Sequence, residues 1–388
     1  MKVLLLNTDR FYDAKGGTEK VLCNMANAMT DRGHQVEILF CENKIGTVPF
    51  ELSNLVKLTN VGCGLSKKLT FFQRLRRLFI LNKKNRHAYD ASLLDPKFSE
   101  RIKPALIKSN PDVIVCFQIA ATRILKSYVY PNCPIVTMFH FNPDYLLEKS
   151  FDKTLYALEK CEYVQVLLKS YINITKRYIN TDNVVYIPNV VPQFNSICSY
   201  DSKKIINVGR FSKRQKRQHL LIEAFNKIVS EYPDWSVEFW GEADEGEKYY
   251  RYCKELVNKY KLNDKIIFCG TTNNIYEELK GASVFVFPSA YEGFPLALTE
   301  AMSIGLPSIG FKNCPAVNEL IKDSSNGILC DEKVEDLADS MRRVMSNRKL
   351  REEYGINAKK DMVKYAPDNI WNMWEALLVK TVKAYKEK

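Results

Sequence analysis

The stretch SAYEGFPLALTEAM, residues 289–302, places two glutamates in apolar surroundings, with seven residues between them. Glu292 precedes a Gly-Phe-Pro step, and Glu300 falls inside the helix that the following residues predict. Glutamates on the helices of soluble proteins usually face water, yet Leu298 and Ala301 leave little polar surface around Glu300. This pattern predicts a binding site for a ligand.

The residues around this stretch predict a strand–loop–helix unit. Val284–Phe287 is a short apolar run, as expected for a parallel strand that is covered on both faces. Pro295 suits the first position of a helix, and Gly305 before Pro307 ends that helix. Free amides at the helix start favour negative charge, and carboxylates accept strongly from paired hydroxyl groups. Amides for a phosphate, with carboxylates on either side for sugar hydroxyls, predict a nucleotide-sugar site.

Short apolar strands alternate with helices along the whole chain of 388 residues. This length predicts two domains, and the boundary is expected between Pro188 and Ser202, where periodicity is lost. We therefore predict an α/β protein with two doubly wound parallel sheets. The predicted strands are Val3–Leu6, Val36–Phe40, Val113–Phe117, Ile135–Phe139, Tyr163–Leu167, Val184–Ile187, Lys204–Val208, Val237–Trp240, Ile266–Cys269, Val284–Phe287, Ser308–Phe311 and Ile328–Cys330. The predicted helices include Thr18–Asp31, Gln218–Ser230 and Gly246–Tyr260.

The composition and the cysteine pattern exclude several classes of protein. Hydrophobic residues make up 46% of the chain, enough for two packed cores and unlike a disordered protein. The cysteines number 11, with no Cys-x-x-Cys pair, which favours reduced thiols over a disulfide framework or a zinc site. The first apolar run is too short for a signal peptide, and no run approaches the length of a membrane span. We therefore expect a soluble, cytoplasmic protein.

The net charge of +12 needs an anionic partner, such as nucleic acid, a membrane or a phosphorylated substrate. The segment Leu65–His87 contains eight lysines or arginines and no acid. On a helical wheel one face of it is apolar and consists of Phe71, Phe72, Leu75, Leu78 and Phe79. A basic amphipathic helix with aromatic residues is typical of an interfacial membrane helix. We predict that this segment binds the anionic inner leaflet; a solvated basic face over a core stripe is the alternative.

Ligands of doubly wound sheets bind outside the carboxyl ends of strands, where loops lead into helix N-termini. After the first strand, Gly16 and Gly17 let the backbone approach a ligand closely, and Thr18 is a natural N-cap. His140 follows the strand Ile135–Phe139. A histidine there is either a satisfied structural residue or a catalytic one. These positions are the candidates in the first half of the chain.

The second half places fixed cations at a comparable position. In NVGRFSKRQKRQHLL, Arg210 leaves the end of a strand and Lys216 lies just before a helix. Two cations beside unpaired helix amides predict an anion site. We interpret Arg214 and Arg217, in the same run, as part of a solvated face.

With these motifs in view, the chain resembles the retaining glycosyltransferases of glycosyltransferase family 4, which have the GT-B fold. The motifs are GGTE at residues 16–19, the strand-end His140, GRFSKRQK at residues 209–216, and the Glu-x7-Glu pair of Glu292 and Glu300. The later segment NCPAVNELIKDSSNGILC is also similar to this family. The resemblance covers essentially the whole chain and is most specific between Lys204 and Cys330.

The GT-B resemblance implies two Rossmann-like domains that face each other across a cleft. Residues 1–190 would form the acceptor-side domain and residues 200–365 the nucleotide-sugar domain. Residues 366–388 would form a C-terminal helix that packs back toward the N-terminal domain.

The resemblance also implies roles for the matching residues. The implied catalytic residues are Glu292, Arg210, Lys216 and His140. The implied donor-binding residues are Gly16, Gly17, Arg210, Lys216, Gly293, Phe294, Leu296, Ala297, Glu300, Gly270 and Thr271. Arg210 and Lys216 would stabilise the departing diphosphate, while Glu300 would bind the ribose. Glu292 and the amides after it would hold the sugar.

The remaining implied contacts concern the base and the two candidates from the first half. The base would lie near Phe268–Thr271, interpreted as the loop after a central strand. Gly17 would place its backbone against the donor, and His140 would line the reaction centre. The sequence WGEADEGE lacks the glycine-rich form common at that point in the family.

The implied reaction moves a hexose or N-acetylhexosamine from a nucleotide diphosphate sugar to a lipid-linked or cell-envelope glycan of lipopolysaccharide, O-antigen or capsule type. UDP-sugars are favoured as donors, with GDP-mannose second. The sequence has no Asp-x-Asp metal motif, so Arg210, Lys216 and a helix N-terminus would replace the metal, and neither a metal nor a cofactor is expected. No second carboxylate is placed as a general base, which agrees with a retaining, same-face mechanism.

Several alternatives remain open. A sugar-nucleotide epimerase, a glycan phosphorylase or a non-catalytic sugar-nucleotide-binding subunit would use the same fold. Nucleic acid is not an expected partner, because aromatic-flanked base-reading motifs are absent. With the basic segment Leu65–His87, the predicted location is the cytoplasm, peripheral on the cytoplasmic face of the inner membrane.

Overall fold

The computed structural model describes residues 1–14, 16–43, 45–62, 70–242 and 247–387. The chain divides into two units: unit 1 comprises Met1–Asn189 with Asp368–Lys388, and unit 2 comprises Val190–Pro367. Each unit is built on one parallel sheet with helices around it. The predicted fold class, α/β with two doubly wound parallel sheets, is therefore confirmed.

The sheet of unit 1 has seven strands in the order β3-β2-β1-β4-β5-β6-β7. The strands are β1 Lys2–Asn7, β2 Gln35–Phe40, β3 Lys57–Asn60, β4 Val113–Cys116, β5 Ile135–Met138, β6 Tyr163–Val166 and β7 Val184–Tyr186. The helices are α1 Gly17–Asp31, α2 Phe71–Leu78, α3 Lys83–Ser109, α4 Ile119–Ile124, α5 Pro143–Leu147, α6 Asp152–Glu159 and α7 Ser170–Lys176. A π-helical turn, Leu125–Val129, continues α4.

The sheet of unit 2 has six strands in the order β10-β9-β8-β11-β12-β13. The strands are β8 Lys204–Val208, β9 Ser236–Trp240, β10 Ile266–Gly270, β11 Val284–Phe287, β12 Ser308–Phe311 and β13 Gly327–Cys330. The helices are α8 Gln218–Asn226, α9 Lys248–Lys259, α10 Ile275–Lys280, α11 Leu296–Ser303, α12 Val317–Leu320, α13 Val334–Ser346 and α14 Arg348–Met362, followed by a 3-10 turn at Val363–Tyr365.

The last helix, α15 Pro367–Lys386, packs on unit 1. Glu375 Oε1 lies 3.0 Å from His34 Nε2, and Lys386 Nζ lies 3.7 Å from Asp112 Oδ1. None of the helices in the described ranges combines the length and the apolar composition that a bilayer span requires.

The strand orders identify where a ligand should bind in each unit. The order reverses between β1 and β4 in unit 1 and between β8 and β11 in unit 2. Ligands of doubly wound sheets bind at such reversals, beyond the carboxyl ends of the strands. The loops that follow β1, β4, β8 and β11 are therefore the positions at which candidate residues matter most.

The sequence predicted most strands to within one residue and missed one. β3 pairs with β2 at the sheet edge, and its side chains are exposed or half-buried. An exposed four-residue strand lacks the apolar run on which the other predictions rest. The interpretation of the predicted strand Ile266–Cys269 as a central strand is wrong, because the observed strand β10 lies at the sheet edge. Helix α8 also ends at Asn226, before the predicted Ser230.

The basic segment Leu65–His87 is not one helix. Its residues 65–69 lie outside the described residues. Thr70 caps α2 through a capping box with Gln73, and the Asn82 side chain caps α3 by accepting from the amides of Lys84 and Asn85. The two caps divide the described part of the segment into separate helices.

Helices α11 and α14 of unit 2 approach closely at a pair of glycines. A Cβ added at Gly355 would collide with the Gly305 carbonyl and lie 2.5 Å from Tyr200 Oη. Gly355→Ala should therefore destabilise unit 2 by about 1–3 kcal/mol, because overpacking forces the helices apart. In a unit of this size the melting temperature should fall by roughly 2–10 °C, measured by differential scanning calorimetry.

The control is Gly281→Ala, at the C-cap of α10. A Cβ there would meet its nearest neighbour, the Glu277 carbonyl, at an ordinary distance of 3.5 Å. Equal melting temperatures for the two variants would contradict the packing argument.

Candidate active site

In unit 2 an ion pair joins the two loops at the reversal of strand order. Lys216, in the loop after β8, places its Nζ 2.7 Å from Oε1 of Glu292, in the loop after β11. The two side chains are 18% and 7% exposed, and the ammonium also lies 4.6 Å from the Phe287 ring centroid. The structure thus brings together two of the residues that the sequence singled out.

The loop that carries Lys216 is fixed by its neighbour Gln215. The Gln215 carbonyl accepts from the Ala290 amide at 2.8 Å. Its side-chain amide donates to the Tyr291 carbonyl at 3.3 Å and to Glu292 Oε2 at 3.4 Å. These hydrogen bonds join the loop after β8 to the loop after β11, and Glu292 accepts from Gln215 as well as from Lys216. Sequence reasoning missed Gln215, whose only signal was its position beside Lys216.

Two glycines make room for the lysine. Gly209 has a φ of +155°, and a Cβ there would lie 3.3 Å from Cε of Lys216. A Cβ at Gly241, with a φ of +148°, would collide with the Gly209 carbonyl. The stem of Lys216 therefore rests on bare backbone, and the backbone after β9 approaches that after β8.

The interpretation of Arg217 as part of a solvated face is wrong. Its side chain is only 11% exposed and forms an ion pair with Glu332. Its Nε donates to the Pro288 carbonyl at 3.1 Å, and its guanidinium lies 5.1 Å from the Phe311 ring centroid. Arg217 thus braces the carboxyl ends of β11 and β12. The backbone places it there through a left-handed conformation, φ 51° and ψ 43°, as the N-cap of α8. Arg214 is exposed, as interpreted.

Two buried polar atoms at this edge of the sheet have no hydrogen-bond partner among the described residues. They are Nη2 of Arg217 and Oγ of Ser289. Ser289 follows β11 directly and is fully buried. Buried donors without partners are rare and need an explanation, such as a ligand that accepts from them. Sequence reasoning gave Ser289 no role, although it opens the stretch around Glu292.

Helix α11 starts one residue later than predicted. Pro295 is its N-cap rather than its first residue, and Leu296 begins the helix. Glu300 is 8% exposed and lies in the second turn, as its apolar neighbours predicted. The preceding Phe294 is 6% exposed and packs edge-on against Tyr365 at 5.5 Å. Gly293 is buried, while Leu296 and Ala297 are half-buried at the helix start.

Arg210 is exposed at the end of β8, and its side chain makes no ion pair or hydrogen bond with any residue that the structure describes. Its carbonyl accepts from the Gln218 side chain at 3.1 Å, which fixes its backbone. An exposed guanidinium on a fixed backbone remains available to an anion.

The loop proposed to bind the base follows the edge strand β10, two strands away from β8. Gly270 has a φ of +73°, and its carbonyl accepts from the Gly241 amide at 2.7 Å. Thr271 is exposed. Phe268 packs into an aromatic cluster, with its ring 5.6 Å from that of Phe239. The contact between Gly270 and Gly241 joins this loop to the residues after β9.

In unit 1, His140 lies two residues after β5. Its ring stacks on Phe117 at 5.2 Å, and its Nε2 is buried without a hydrogen-bond partner among the described residues. Burial lowers the pKa of His140 to about 4. The imidazole is therefore neutral near pH 7, with one ring nitrogen left to bind a ligand.

The glycine turn after β1 is organised by Glu19 rather than by Thr18. Helix α1 begins at Gly17, and Gly16 is its N-cap, so the prediction of Thr18 as N-cap is wrong. A Cβ at Gly16 would collide with Oε2 of Glu19, whose carboxylate folds back over the helix start. Burial raises the pKa of Glu19, and the charge of nearby Asp9 adds to the effect. Gly16 is therefore explained in part by this local contact.

The ten described cysteines are free thiols, mostly buried. In the described ranges no group of three or more histidine, cysteine, aspartate or glutamate side chains is arranged to hold a metal ion.

Comparison with known proteins assigns both halves of the chain. Residues 15–192 match the family described as Glycosyltransferase Family 4. Residues 194–361 match the family described as Glycosyl transferases group 1. The two matches leave only short ends outside, and both describe glycosyltransferases.

Curated relatives of similar length agree with this assignment, and a solved structure shows a similar fold. An uncharacterized glycosyltransferase of Haemophilus influenzae is 24% identical over 371 residues, covering 94% of this chain and 96% of the relative. The amylovoran biosynthesis glycosyltransferase AmsD of Erwinia amylovora is 20% identical over 369 residues, with the same coverage of 94% and 96%. A mutant of S. aureus TarM, crystallised with Fondaparinux, alpha-GlcNAc-glycerol and UDP, superposes with a TM-score of 0.75 at 16% identity, covering 97% of this chain and 99% of that one. The fold is that of GT-B glycosyltransferases.

The buried imidazole of His140 predicts a specific dependence of stability on pH. The folded-state pKa of about 4 lies below the ordinary value of 6.5. Between these values the unfolded chain binds a proton that the folded chain does not. The contribution of His140 is therefore fully present above pH 6.5 and is lost toward pH 4, by up to about 1.4 kcal/mol per pH unit.

The test compares the wild-type protein with His140→Gln by calorimetry at pH 7.5 and pH 4.5. At pH 7.5 the two melting temperatures give the packing cost of the substitution alone. At pH 4.5 the wild-type protein should have lost more stability than the variant. An unchanged difference between the two proteins would show that the imidazole is not held neutral by burial.

Proposed function

Because the chain is a glycosyltransferase of the family 4 type, we propose that it transfers a hexose or N-acetylhexosamine from a UDP-sugar, with retention of configuration, to a lipid-linked or cell-envelope glycan. The observation that carries this proposal is the arrangement around Lys216 and Glu292. A mostly buried lysine, an exposed Arg210 and two buried donors without partners gather at the carboxyl ends of β8 and β11. These groups match the needs of a bound diphosphate flanked by sugar hydroxyls.

The proposed roles follow from the chemistry of the bond that breaks. Cleavage of an anomeric carbon–phosphate bond places positive charge on the sugar and negative charge on the departing diphosphate. Lys216 and Arg210 stabilise the diphosphate as it leaves, with the amides at the start of α11. Glu300 accepts from the ribose hydroxyls, and Glu292 holds the transferred sugar. These cations take the part that a metal plays in other transferases, so the proposed reaction is metal-independent.

The remaining donor contacts and the acceptor side are proposed on the same basis. The base lies near Gly270 and Thr271, whose backbone the Gly241 contact holds in place. In unit 1, the backbone amides of Gly16 and Gly17 are candidates for hydrogen bonds to a substrate, and His140 supplies a neutral imidazole that donates or accepts one hydrogen bond.

The choice of donor and acceptor rests on the relatives. AmsD is named for amylovoran biosynthesis, and the TarM complex contains UDP and alpha-GlcNAc-glycerol. These names support a UDP-sugar as donor and a polysaccharide or envelope glycan of lipopolysaccharide, O-antigen or capsule type as acceptor. A sugar-nucleotide epimerase or a non-catalytic subunit would share the donor site but would not release UDP.

We also propose that the exposed helix α2 docks the protein on the anionic cytoplasmic face of the inner membrane. None of its residues is buried. Phe71, Phe72 and Phe79 are 73%, 79% and 78% exposed. An exposed aromatic face of this size is unusual on a soluble surface and is typical of interfacial helices.

The electrostatic part of this docking is smaller than the eight cations of the segment suggest. Arg77 is engaged by Asp90 through two hydrogen bonds, of 2.7 and 3.0 Å. Lys84 pairs with Asp152, and Arg86 donates to the Ile80 carbonyl. Since each cation near an anionic surface contributes about 1 kcal/mol, the aromatic side chains should carry much of the affinity.

The proposed activity predicts the behaviour of a Lys216→Met variant. Wild-type protein given UDP-sugars and a lipid-linked acceptor in EDTA should release UDP and form a product with the anomeric configuration of the donor. In Lys216→Met, UDP should bind about 10- to 100-fold more weakly by calorimetry, because a charge-assisted hydrogen bond to phosphate is lost. Turnover should fall at least as much.

The matched control is Lys213→Met, in the same loop, where the exposed lysine lies 5.5 Å from the Tyr252 ring centroid. Its UDP affinity should stay within about twofold of the wild-type value. Conversion of the donor to its epimer without UDP release would favour an epimerase, and UDP binding without turnover would favour a non-catalytic subunit. Activity that disappears in EDTA and returns with a divalent ion would overturn the metal-independent mechanism.

For the membrane proposal, the variant replaces Phe71, Phe72 and Phe79 with serine. Sedimentation with vesicles of phosphatidylglycerol and phosphatidylcholine should fall at least tenfold, because the inserting groups are removed. UDP binding should not change, since α2 belongs to unit 1. The control replaces two exposed apolar residues elsewhere in unit 1, Ile107→Ser and Tyr156→Ser. Equal vesicle binding by all three proteins would make α2 an ordinary solvated helix.

A further inference from the structure

Unit 1 contains a pocket of about 520 Å³ on the side of the sheet covered by α3, α4 and α6. Thr8 and Asp9 line it from the end of β1, and Ile119 and Ala120 line it from the start of α4. These residues follow β1 and β4, between which the strand order reverses. The pocket therefore lies where unit 1 is expected to bind a ligand, and its volume is typical of small-molecule sites.

The inner part of this pocket is apolar. Leu94 and Phe98 of α3 and Ile124 of α4 contribute hydrocarbon walls. Asp95 and Arg123 also line the pocket and are already paired, because Arg123 donates to both carboxylate oxygens of Asp95, at 2.7 and 2.9 Å. Arg123 and Asp95 thus give the ligand no unpaired charge. This part of the pocket suits a hydrocarbon chain.

Two lysines, Lys83 and Lys149, line the pocket, and we call the part of the pocket next to them its mouth. Lys83 begins α3, and Phe98 lies fifteen residues, roughly 22 Å, further along that helix, so Lys83 and the apolar walls are at opposite ends. Lys149 also lines the pocket, with its Nζ 3.5 Å from the Tyr145 ring centroid. Neither lysine pairs with an acid among the described residues. Two lysines and no acid occupy the first turn of α3, against the preference of a helix N-terminus for negative charge.

The geometry points to an amphiphilic phosphate as the acceptor: we propose that its apolar chain lies against Leu94, Phe98 and Ile124 while its phosphate binds between Lys83 and Lys149. This inference rests on the proposed function and narrows its acceptor to the lipid-linked class. A phosphate at the mouth balances both lysines and the helix start, and a hydrocarbon chain fills the apolar interior.

The surroundings of the mouth agree with such a ligand. Helix α2 is attached to α3 through Arg77 and Asp90, and Asp90 itself lines the pocket. Helix α2, which we propose docks on a membrane, is therefore adjacent to the helix that carries Lys83, Leu94 and Phe98. Asp9 lies two residues after β1 and lines the pocket. Desolvation of its carboxyl group raises the pKa of Asp9. A sugar attached to the phosphate could hydrogen-bond to Asp9.

The test measures binding of farnesyl phosphate to the full chain by calorimetry, without any donor. Farnesyl phosphate should bind at least tenfold more tightly than farnesol or inorganic phosphate, because each of these offers only half of the recognised groups. In Lys83→Gln with Lys149→Gln the affinity should fall at least tenfold, to near that of farnesol. Leu94→Trp, which fills the apolar part, should reduce the affinity to near that of inorganic phosphate.

The matched control is Lys97→Gln with Lys103→Gln, two exposed lysines of α3 that do not line the pocket. It should bind farnesyl phosphate as the wild-type protein does, and all variants should keep the wild-type far-UV circular dichroism and calorimetric unfolding transition, which checks that unit 1 folds. Equal binding of farnesol and farnesyl phosphate, or equal loss in the control, would overturn the inference. Transfer from a UDP-sugar to a glycan that carries no lipid, together with no binding of farnesyl phosphate, would overturn this inference. The proposed function would then still stand.

Discussion

The contact between Lys216 and Glu292 is the interaction on which the candidate donor site depends. It joins the two loops at the reversal of strand order, with 2.7 Å between Lys216 Nζ and Glu292 Oε1, and both side chains are largely buried. Burying two opposite charges costs several kcal/mol per ion, and pairing them often no more than repays that cost. Stability alone therefore explains the pair poorly. A diphosphate that replaced Glu292 as the partner of Lys216 would free the carboxylate for sugar hydroxyls, so the pair keeps both groups in place for a ligand.

Unit 1 uses paired charges differently. Helix α3 carries Asp90 and Asp95, which hold Arg77 of α2 and Arg123 of α4 by two hydrogen bonds each. Such bidentate pairs fix direction as well as distance. They attach α2 and α4 to one long helix, and the pocket forms along that helix. Because these acids are neutralised within the protein, the positive charge at the pocket mouth remains uncompensated.

The sequence predicted the parallel strands well because they are buried runs of apolar residues. It singled out Lys216 and Glu292 because they lie in loops after such strands, and Glu300 because its neighbours are apolar. It failed where a side chain's partner is distant in the chain. Arg217 looked solvated beside Arg214, but a left-handed backbone turns it toward Pro288 and Glu332, 71 and 115 residues away. Thr18 suited an N-cap by type, yet Glu19 folds back on Gly16 instead. Strand β3 was missed because its exposed side chains carry no apolar signal.

Part of the positive charge behind the net charge of +12 is engaged by contacts within the protein. In the described part of the basic segment, Arg77, Lys84 and Arg86 are engaged by oxygen atoms of unit 1. Arg217 is engaged in the same way inside unit 2, whereas Lys216 pairs with Glu292 at the proposed diphosphate site. At the two candidate binding sites, the cations without an acidic partner among the described residues are Arg210 at the end of β8 and Lys83 with Lys149 at the pocket. A polyanion such as nucleic acid needs a continuous basic surface. Separate cations at strand and helix ends suit two phosphate-bearing small molecules instead, as we propose for the donor and the acceptor.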